Sequence, residues 1–272
     1  MTRWTAILTL LLTLPVWLSC DRDVTPPETE WTTLFDGTTL DGWTPKIRGY
    51  NFGEDPLHTF RLENGLLKVR YDQYPRFDET FGHLFHKVPQ SSYYLEMEYR
   101  FVGQQIEDGP GWAWRNSGIM LHSQDPETMS IDQDFPDSIE LQLLGTVDGE
   151  PRTNANLCTP GTHVMFGSEL ETDHCIDSTS RSYVEDEWVT VGVLVHENQW
   201  LDHRLEGVSV LSYHSPQLND GTLLTQGYIA LQSESHPMDI RHVRLRPLTD
   251  DEIEQARSNQ LDALQTSGGR EP

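Results

Sequence analysis

The stretch Ser92-Tyr-Tyr-Leu-Glu-Met-Glu-Tyr-Arg-Phe101 decides the fold class of this chain. Its side chains alternate, with Leu95, Met97, Tyr99 and Phe101 on one face and Glu96, Glu98 and Arg100 on the other. Successive side chains of a β-strand point to opposite faces, so this period of two predicts a strand with one apolar and one polar face. The apolar face indicates a core on one side of a sheet.

The same alternation recurs along most of the chain. Further strands are predicted over residues 31–35, 66–71, 118–122, 138–144, 188–196, 208–213, 227–232 and 240–245. Turn signals such as Asn64-Gly65, Asp148-Gly149 and Asp220-Gly221 separate them. Many alternating strands with frequent turns and few helical patterns predict an all-β fold, an antiparallel β-sandwich or jelly roll.

The chain begins with the three-part pattern of an export signal. Arg3 supplies the charged start, an apolar run covers residues 6–18, and the small Ser19 precedes Cys20. The run is shorter than the roughly 20 residues of a membrane span, so we expect it to be removed. A cysteine directly after it resembles the lipobox of bacterial lipoproteins, which predicts a lipid anchor on Cys20 and a location at the cell envelope, in the periplasm or on a membrane. Ordinary cleavage with Cys20 left free is the alternative.

We divide the chain into four parts by composition. They are a signal peptide over residues 1–19, a lipid-anchored tether over 20–30, a β domain over 31–248 and a C-terminal tail over 249–272. The tether combines charge, threonine and proline, which is typical of an extended linker. The tail has a helical pattern over residues 250–264.

The charge of the chain limits its partners. It has 19 basic and 43 acidic residues, for a net charge of -24. Binding to phosphates requires clustered Lys and Arg, so nucleic acid is excluded as the expected partner. The acidity is explained by the solubility that an exported protein needs.

Two further cysteines, Cys158 and Cys175, form an even pair in a chain bound for an oxidising compartment. A disulfide between them is the simplest prediction. A zinc site that also uses His163 and His174 is the alternative, although the spacing matches no zinc motif.

The sequence contains neither a G-x-S-x-G nucleophile elbow, nor a phosphate-binding glycine loop, nor an H-E-x-x-H pair. Candidate functional residues are therefore polar side chains on predicted strands, which would line the groove of a curved sheet. One strand carries Glu140 and Gln142, and another carries Gln232 and leads into a loop with Glu234 and His236. The alternative for each is the ordinary solvated face of an antiparallel sheet.

A second group of candidates lies in and after the segment Gly111-Trp-Ala-Trp-Arg-Asn-Ser-Gly118. Tryptophan rings stack on the apolar faces of sugar rings, and amides hydrogen-bond to sugar hydroxyls. Trp114 and Asn116 are therefore candidate sugar-binding residues, and His122 shares the strand parity of Asn116. The alternatives are a tryptophan of the core and a structural histidine.

Motifs spread over most of the chain resemble the 3-keto-disaccharide hydrolase domain, a family of exported bacterial proteins. They are LFDGTTLDGW (34–43), FRLENGLL (60–67), YLEMEYR (94–100), NSGI (116–119), SIELQ (138–142) and GYIALQ (227–232), within a match from Trp31 to Leu248. The resemblance implies a jelly roll of the concanavalin or laminin-G type. Each motif is weak alone, and their common order makes the resemblance specific for the fold.

The resemblance also implies a reaction, the cleavage of 3-keto-glycosides or 3-keto-disaccharides. A ketone at carbon 3 acidifies the proton on carbon 2, so that a base can remove it and the aglycone can leave from carbon 1. Water then adds to the product. Glu140 and His236 are the expected base and acid partners, and Arg241, Gln142 and Asn116 are expected to polarise the ketone.

A divalent metal would also polarise the ketone, with Glu140, Glu234 and His236 as candidate ligands. The spacing of these residues does not require a metal. The chain departs from the family pattern at residues 233–236 (SESH) and 240–243 (IRHV), beside the expected site, which leaves the substrate open.

Two other functions stay open at this point. A jelly roll does not imply an enzyme, so the domain could serve as a non-catalytic carbohydrate-binding module. An interaction role in a cell-surface assembly is the third interpretation. Oligomeric state is not predicted by any pattern in the sequence.

Overall fold

In the computed structural model, two antiparallel β-sheets pack face to face. The structure describes Met1 and residues 30–266, without the Thr266 side chain. The predicted signal peptide, Cys20 and most of the tether lie outside the described residues. Within the described residues, no helix has both the length and the apolar character needed to cross a membrane.

Seventeen strands, one α-helix and two short 3-10 helices account for the regular structure of the described chain. The strands are β1 Thr32–Phe35, β2 Trp43–Ile47, β3 Phe60–Glu63, β4 Leu66–Val69, β5 Gly82–His86, β6 Ser92–Phe101, β7 Asn116–Ser123, β8 Ile139–Leu144, β9 Asn156–Cys158, β10 Thr162–Phe166, β11 Glu169–Glu171, β12 Cys175–Ile176, β13 Val189–His196, β14 Trp200–Leu205, β15 Val208–Leu218, β16 Tyr228–Ser233 and β17 Met238–Arg246. The helix α1 covers Asp250–Thr266.

The larger sheet has ten strands in the order β11-β10-β15-β14-β13-β6-β17-β4-β3, with β1 added against β17. The smaller sheet has seven strands in the order β12-β9-β8-β7-β16-β5-β2. Neighbouring strands run antiparallel in both sheets. The predicted all-β fold, an antiparallel β-sandwich of the jelly-roll type, is therefore confirmed.

The core lies between the inner faces of the two sheets. It includes Leu95, Met97 and Tyr99 of β6, Ile139, Leu141 and Leu143 of β8, and Val191, Val193 and Val195 of β13. The strands predicted over these residues are present, and β6 has the predicted boundaries. Burial of these alternating apolar side chains is the main force that holds the sheets together, at roughly 25 cal/mol per Å² of apolar surface.

The outer face of the larger sheet is less exposed to solvent than the alternating apolar and polar sequence pattern of its strands predicts. Helix α1 packs there, and Ala256 forms a small cluster with Tyr94, Leu194, Trp200 and Leu248. Arginines of β17 pair with acids of β6 on the same face, such as Arg244 with Glu96. Charged side chains that point outward are therefore neutralised in pairs.

The predicted disulfide between Cys158 and Cys175 is confirmed, and it connects the paired strands β9 and β12. Between these cysteines the chain leaves the smaller sheet, forms β10 and β11 of the larger sheet, and returns. The crosslink thus closes an excursion that joins the two layers. The alternative of a zinc site on these thiols is wrong, because both sulfur atoms are in the disulfide.

We predict that the double variant Cys158→Ala/Cys175→Ala loses about 3 kcal/mol in free energy of unfolding, because the disulfide closes a loop of 17 residues. Urea unfolding without reductant measures the change. Dithiothreitol should lower the midpoint of the wild type towards that of the variant, and should leave the variant where it is. Equal midpoints for the oxidised wild type and the variant would contradict the prediction.

Candidate functional site

A cavity of about 360 Å³ opens on the outer face of the smaller sheet. Its polar lining residues are Asn116, Glu140, Gln142, Arg152, His174 and Glu234. The other lining residues are Trp112, Phe135, Leu144, Cys158, Pro160 and Cys175. This volume lies in the range of sites for small ligands.

Strand β8 places two of the predicted site residues in the cavity. Leu141 and its neighbours of the same parity point into the core, so Glu140 and Gln142 point to the opposite face. Gln142 accepts a hydrogen bond from the Asn156 side chain at 3.3 Å between the amide nitrogen and oxygen. The adjacent strand β7 contributes Asn116, which is also buried. The structure therefore brings together Glu140, Gln142 and Asn116, as the sequence predicts.

The Glu140 carboxyl lies across a glycine of the neighbouring strand. A Cβ atom on Gly118 would come within 2.4 Å of the Glu140 Oε1 atom and 2.9 Å of its carboxyl carbon. Such approaches are too close for any side chain. Gly118 is therefore required for the observed position of the carboxyl over β7.

Glu140 and Glu234 form a pair of buried carboxyls. Their residues are 6% and 3% exposed. Burial raises the pKa of both groups, and the charge of Glu140 raises that of Glu234 further. We infer that the pair holds a proton near neutral pH.

Gln232 is buried on β16, close in sequence to Glu234, and is not among the residues that line the cavity. Among the described residues, neither the nitrogen nor the oxygen of its side-chain amide has a hydrogen-bond partner. The same holds for Oδ1 of Asn116. Gln232 is the register partner of His83 on β5, whose Nε2 atom is likewise unpartnered within that part of the chain. Buried polar groups normally find partners. Of these three residues Asn116 lines the cavity, so its Oδ1 atom is the one placed to meet a polar ligand.

Arg152 supplies positive charge at the cavity. It donates hydrogen bonds to the carbonyl oxygens of Gly145, at 2.8 Å, and Arg115, at 3.1 Å. Burial and the neighbouring Arg115 lower its pKa, but a guanidinium stays protonated in proteins. Arg152 is not predictable from the sequence, because it lies in an irregular segment where no periodicity assigns a direction to a side chain.

His236 lies behind the cavity rather than among its lining residues. Its ring makes edge contacts with Trp114, at 5.4 Å between centroids, and Phe101, at 5.7 Å. Burial and the charges of Arg115 and Arg152 lower its pKa to about 3. The imidazole is therefore neutral, and its position outside the cavity lining does not support its predicted role as the base or acid partner of Glu140. Trp114 packs on this histidine, and it too is not among the lining residues.

His122 does not point into this cavity, which corrects its predicted direction. Its backbone φ of 47° interrupts the alternation of β7. Its Nε2 atom donates to the carbonyl oxygen of Glu197 at 2.9 Å, and burial lowers its pKa to about 4. His122 lines a different cavity with Ser123 and Asp125. The structural histidine, which was the alternative, fits this position.

Arg241 also lies away from the cavity, which corrects its predicted catalytic role. It belongs to β17 of the larger sheet, where its guanidinium forms a two-pronged ion pair with Glu98. It also lies over the ring of Trp188, at 4.5 Å from the centroid. Its partners are on the outer face of the opposite sheet, so it cannot polarise a ligand held by Glu140.

The predicted metal-ligand set of Glu140, Glu234 and His236 is not assembled. Over the part of the chain that the structure describes, no three His, Cys, Asp or Glu side chains are grouped to hold a metal ion. The ring of His236 packs between Trp114 and Phe101 instead.

Comparisons with known proteins give a family and a fold. The family described as 3-keto-alpha-glucoside-1,2-lyase-like domain matches residues 30–246. No curated protein matches the chain in sequence.

Two crystal structures from Parabacteroides distasonis ATCC 8503, both described as candidate glycosyl hydrolases, are similar in fold. The first is 15% identical, covers 80% of this chain and 100% of its own, and has a TM-score of 0.51. The second is 17% identical, covers 80% of this chain and 94% of its own, and has a TM-score of 0.50. At these identities the likeness establishes the fold alone.

The carboxyl pair predicts a pH-dependent gain of stability in Glu234→Gln. A carboxyl whose pKa is higher in the folded than in the unfolded protein stabilises the fold fully below its unfolded pKa, and this contribution is lost as pH rises through the folded pKa. Relative to wild type, the variant should therefore gain free energy of unfolding from about pH 5 to pH 8, by about 1–3 kcal/mol.

Urea unfolding at several pH values measures this gain. Glu107→Gln, on an exposed loop, is the matched control for removing one carboxyl. A difference between Glu234→Gln and wild type that is the same at pH 5 and pH 8 would show that Glu234 does not carry a raised pKa.

Proposed function

The chain belongs to the family of 3-keto-alpha-glucoside-1,2-lyase-like domains, and we propose that it cleaves 3-keto-glycosides, including 3-keto-disaccharides, in this cavity. Family membership supports a role in carbohydrate processing. The observation that carries the finer proposal is the buried pair of Glu140 and Glu234, since the reaction needs both a base and an acid at one place.

The two carboxyls divide the proton transfers between them. Glu140, which lines the cavity from β8, is the base that removes the proton from carbon 2 of the 3-keto sugar. Glu234, whose pKa is raised by burial and by Glu140, is the acid. It protonates the glycosidic oxygen as the bond from carbon 1 to that oxygen breaks. After these two transfers Glu140 holds a proton and Glu234 is ionised. The total number of protons on the pair is therefore unchanged.

Negative charge develops on the oxygen at carbon 3 when the proton is removed from carbon 2. Arg152 is the cation among the residues that line the cavity, and its bonds to backbone carbonyls hold it in place. Preorganised donors of this kind lower the energy of a charged intermediate. Asn116 and Gln142 are placed to bind the hydroxyls or the ketone of the same ring.

The elimination leaves a ring with a double bond between carbons 1 and 2, conjugated with the ketone. Addition of water then places hydroxyl on carbon 1 and hydrogen on carbon 2. The sum is one glycoside and one water converted into a 3-keto sugar and an alcohol. Without the addition of water the same residues would act as a lyase.

A non-catalytic sugar-binding module is the alternative function. Two acids that share one buried environment destabilise the fold whenever both are ionised, and sugar binding alone does not need them. The carboxyl pair therefore favours catalysis.

We also propose that the protein works outside the cytoplasm, anchored through a lipid on Cys20. The disulfide supports an oxidising compartment. The sequence pattern of residues 2–20 supports export, and it lies outside the described residues.

We predict that Glu140→Gln lowers the turnover of a 3-keto-glucoside by at least about 100-fold, because the amide cannot accept the proton from carbon 2. Release of the aglycone measures the rate. The variant should retain binding of the substrate, which separates loss of chemistry from loss of the site. Arg241→Gln is the control, and it should stay within a few-fold of wild type. Wild-type turnover in Glu140→Gln would exclude Glu140 as the base.

A second variant tests the position of the Glu140 carboxyl while keeping Glu140 itself in the protein. Gly118→Ala adds a Cβ within 2.4 Å of the Glu140 Oε1 atom, so the carboxyl must move. Displacement of a catalytic group by about 1 Å can cost about 100-fold in rate, and we expect a loss of about 10- to 100-fold in turnover.

The matched control is Gly111→Ala, where an added Cβ meets no atom within 4 Å. Thermal melting shows whether each variant is folded. Equal turnover in folded Gly118→Ala and Gly111→Ala would contradict the requirement for the observed position of Glu140.

A further inference from the structure

One wall of the cavity is aromatic, and it has an exposed tryptophan at its outer end. Trp112 stacks on Phe81, with 6.0 Å between ring centroids and 26° between ring planes. Phe81 in turn packs on Phe135, at 4.8 Å. Trp112 and Phe135 line the cavity, with Phe81 behind them. We name Trp112, Phe81 and Phe135 the aromatic wall.

Trp112 is 55% exposed although it belongs to this stack. A large aromatic side chain that remains in water at the mouth of a cavity marks a binding surface when its neighbours hold it in place. Residues Gly111–Ala113 form one 3-10 turn, which fixes the backbone of Trp112. The side chain of Gln105 donates to the carbonyl oxygen of Pro110, at 2.8 Å, and to Ser235 Oγ, at 2.7 Å. The turn is thereby tied to the residue that follows Glu234.

The carboxyl pair and Trp112 lie at different depths in the cavity, and this difference decides which part of a ligand the aromatic wall would bind. Glu140 and Glu234 lie at the buried end of the cavity, and Trp112 lies at the exposed end. The ring that loses its proton must reach the carboxyls. The leaving group must depart into water, so it lies on the side of Trp112.

From this arrangement we propose that the aromatic wall is the subsite for the leaving group, and that this group is a pyranose whose apolar face stacks on Trp112. The proposal rests on the proposed function for the direction of the substrate. Tryptophan favours the C–H face of a sugar ring. His174 lines the same cavity and supplies a polar group for a hydroxyl at the edge of that ring.

Trp114, the tryptophan predicted from the sequence to bind sugar, does not line this cavity. Trp114 packs on His236, whereas Trp112 lines the cavity. A two-residue spacing in an irregular segment does not determine which of two tryptophans is exposed.

The test compares two substrates in three proteins. The substrates are a glucosyl-glucose disaccharide oxidised at carbon 3 of its non-reducing ring, and methyl 3-keto-alpha-glucoside, which lacks the second ring. The proteins are wild type, Trp112→Ala and Trp112→Phe. We expect the ratio of kcat/KM for the disaccharide to that for the methyl glucoside to fall about 10-fold in Trp112→Ala, mainly through KM, the size of one stacking contact. Trp112→Phe should recover most of the ratio.

An unchanged ratio in Trp112→Ala would overturn the proposal, and so would a ratio that Trp112→Phe does not recover. Thermal melting confirms that both variants are folded.

A binding measurement separates this proposal from the proposed function. Calorimetric titration with maltose needs no turnover, and we expect Kd to rise about 10-fold in Trp112→Ala and much less in Trp112→Phe. If wild type binds maltose in this way but cleaves neither keto substrate, the proposed function fails and the sugar subsite stands. Equal maltose affinity in wild type and Trp112→Ala, or no binding to either, would overturn the subsite.

Discussion

The alternation of strand β8 is the constraint on which core and cavity both depend. Leu141 can be buried between the sheets only if Glu140 and Gln142 point the other way. A shift of one residue in register would exchange the two sets, placing the Glu140 carboxyl and the Gln142 amide in the core and apolar side chains in the cavity. The apolar contacts that hold the sheets together therefore also fix the position of the polar residues. Stability and site geometry are set by the same pairing of β8 with β7 and β9.

The cavity contains polar groups whose burial is unfavourable for the stability of the fold. Two carboxyls are desolvated together, and this raises their pKa. The amides of Gln232 and Asn116 are buried next to them with atoms unpartnered among the described residues. Such groups reduce stability, and a core built from long apolar strands can tolerate that loss. Strain of this kind is common at functional sites.

The alternation of apolar and polar residues made the fold predictable from the sequence. It made only part of the candidate site predictable. Ser92–Phe101 alternates strictly, so its boundaries and inner face could be read directly. Gly82–His86 is buried at every position and has no alternation to detect. Glu140 was found because it interrupts an apolar strand. Arg152 and Trp112 belong to irregular segments, where direction depends on tertiary contacts that no local pattern encodes.

The disulfide does more than connect two short strands. Cys158 and Cys175 both line the cavity, and the chain between them reaches the opposite sheet. Strand β12 contains two residues and pairs only with β9 in the described structure, so the covalent bond is its principal attachment. The disulfide therefore couples the redox state of the protein to the shape of its cavity. Reduction of this bond would release a covalent restraint on one wall while leaving both sheets paired.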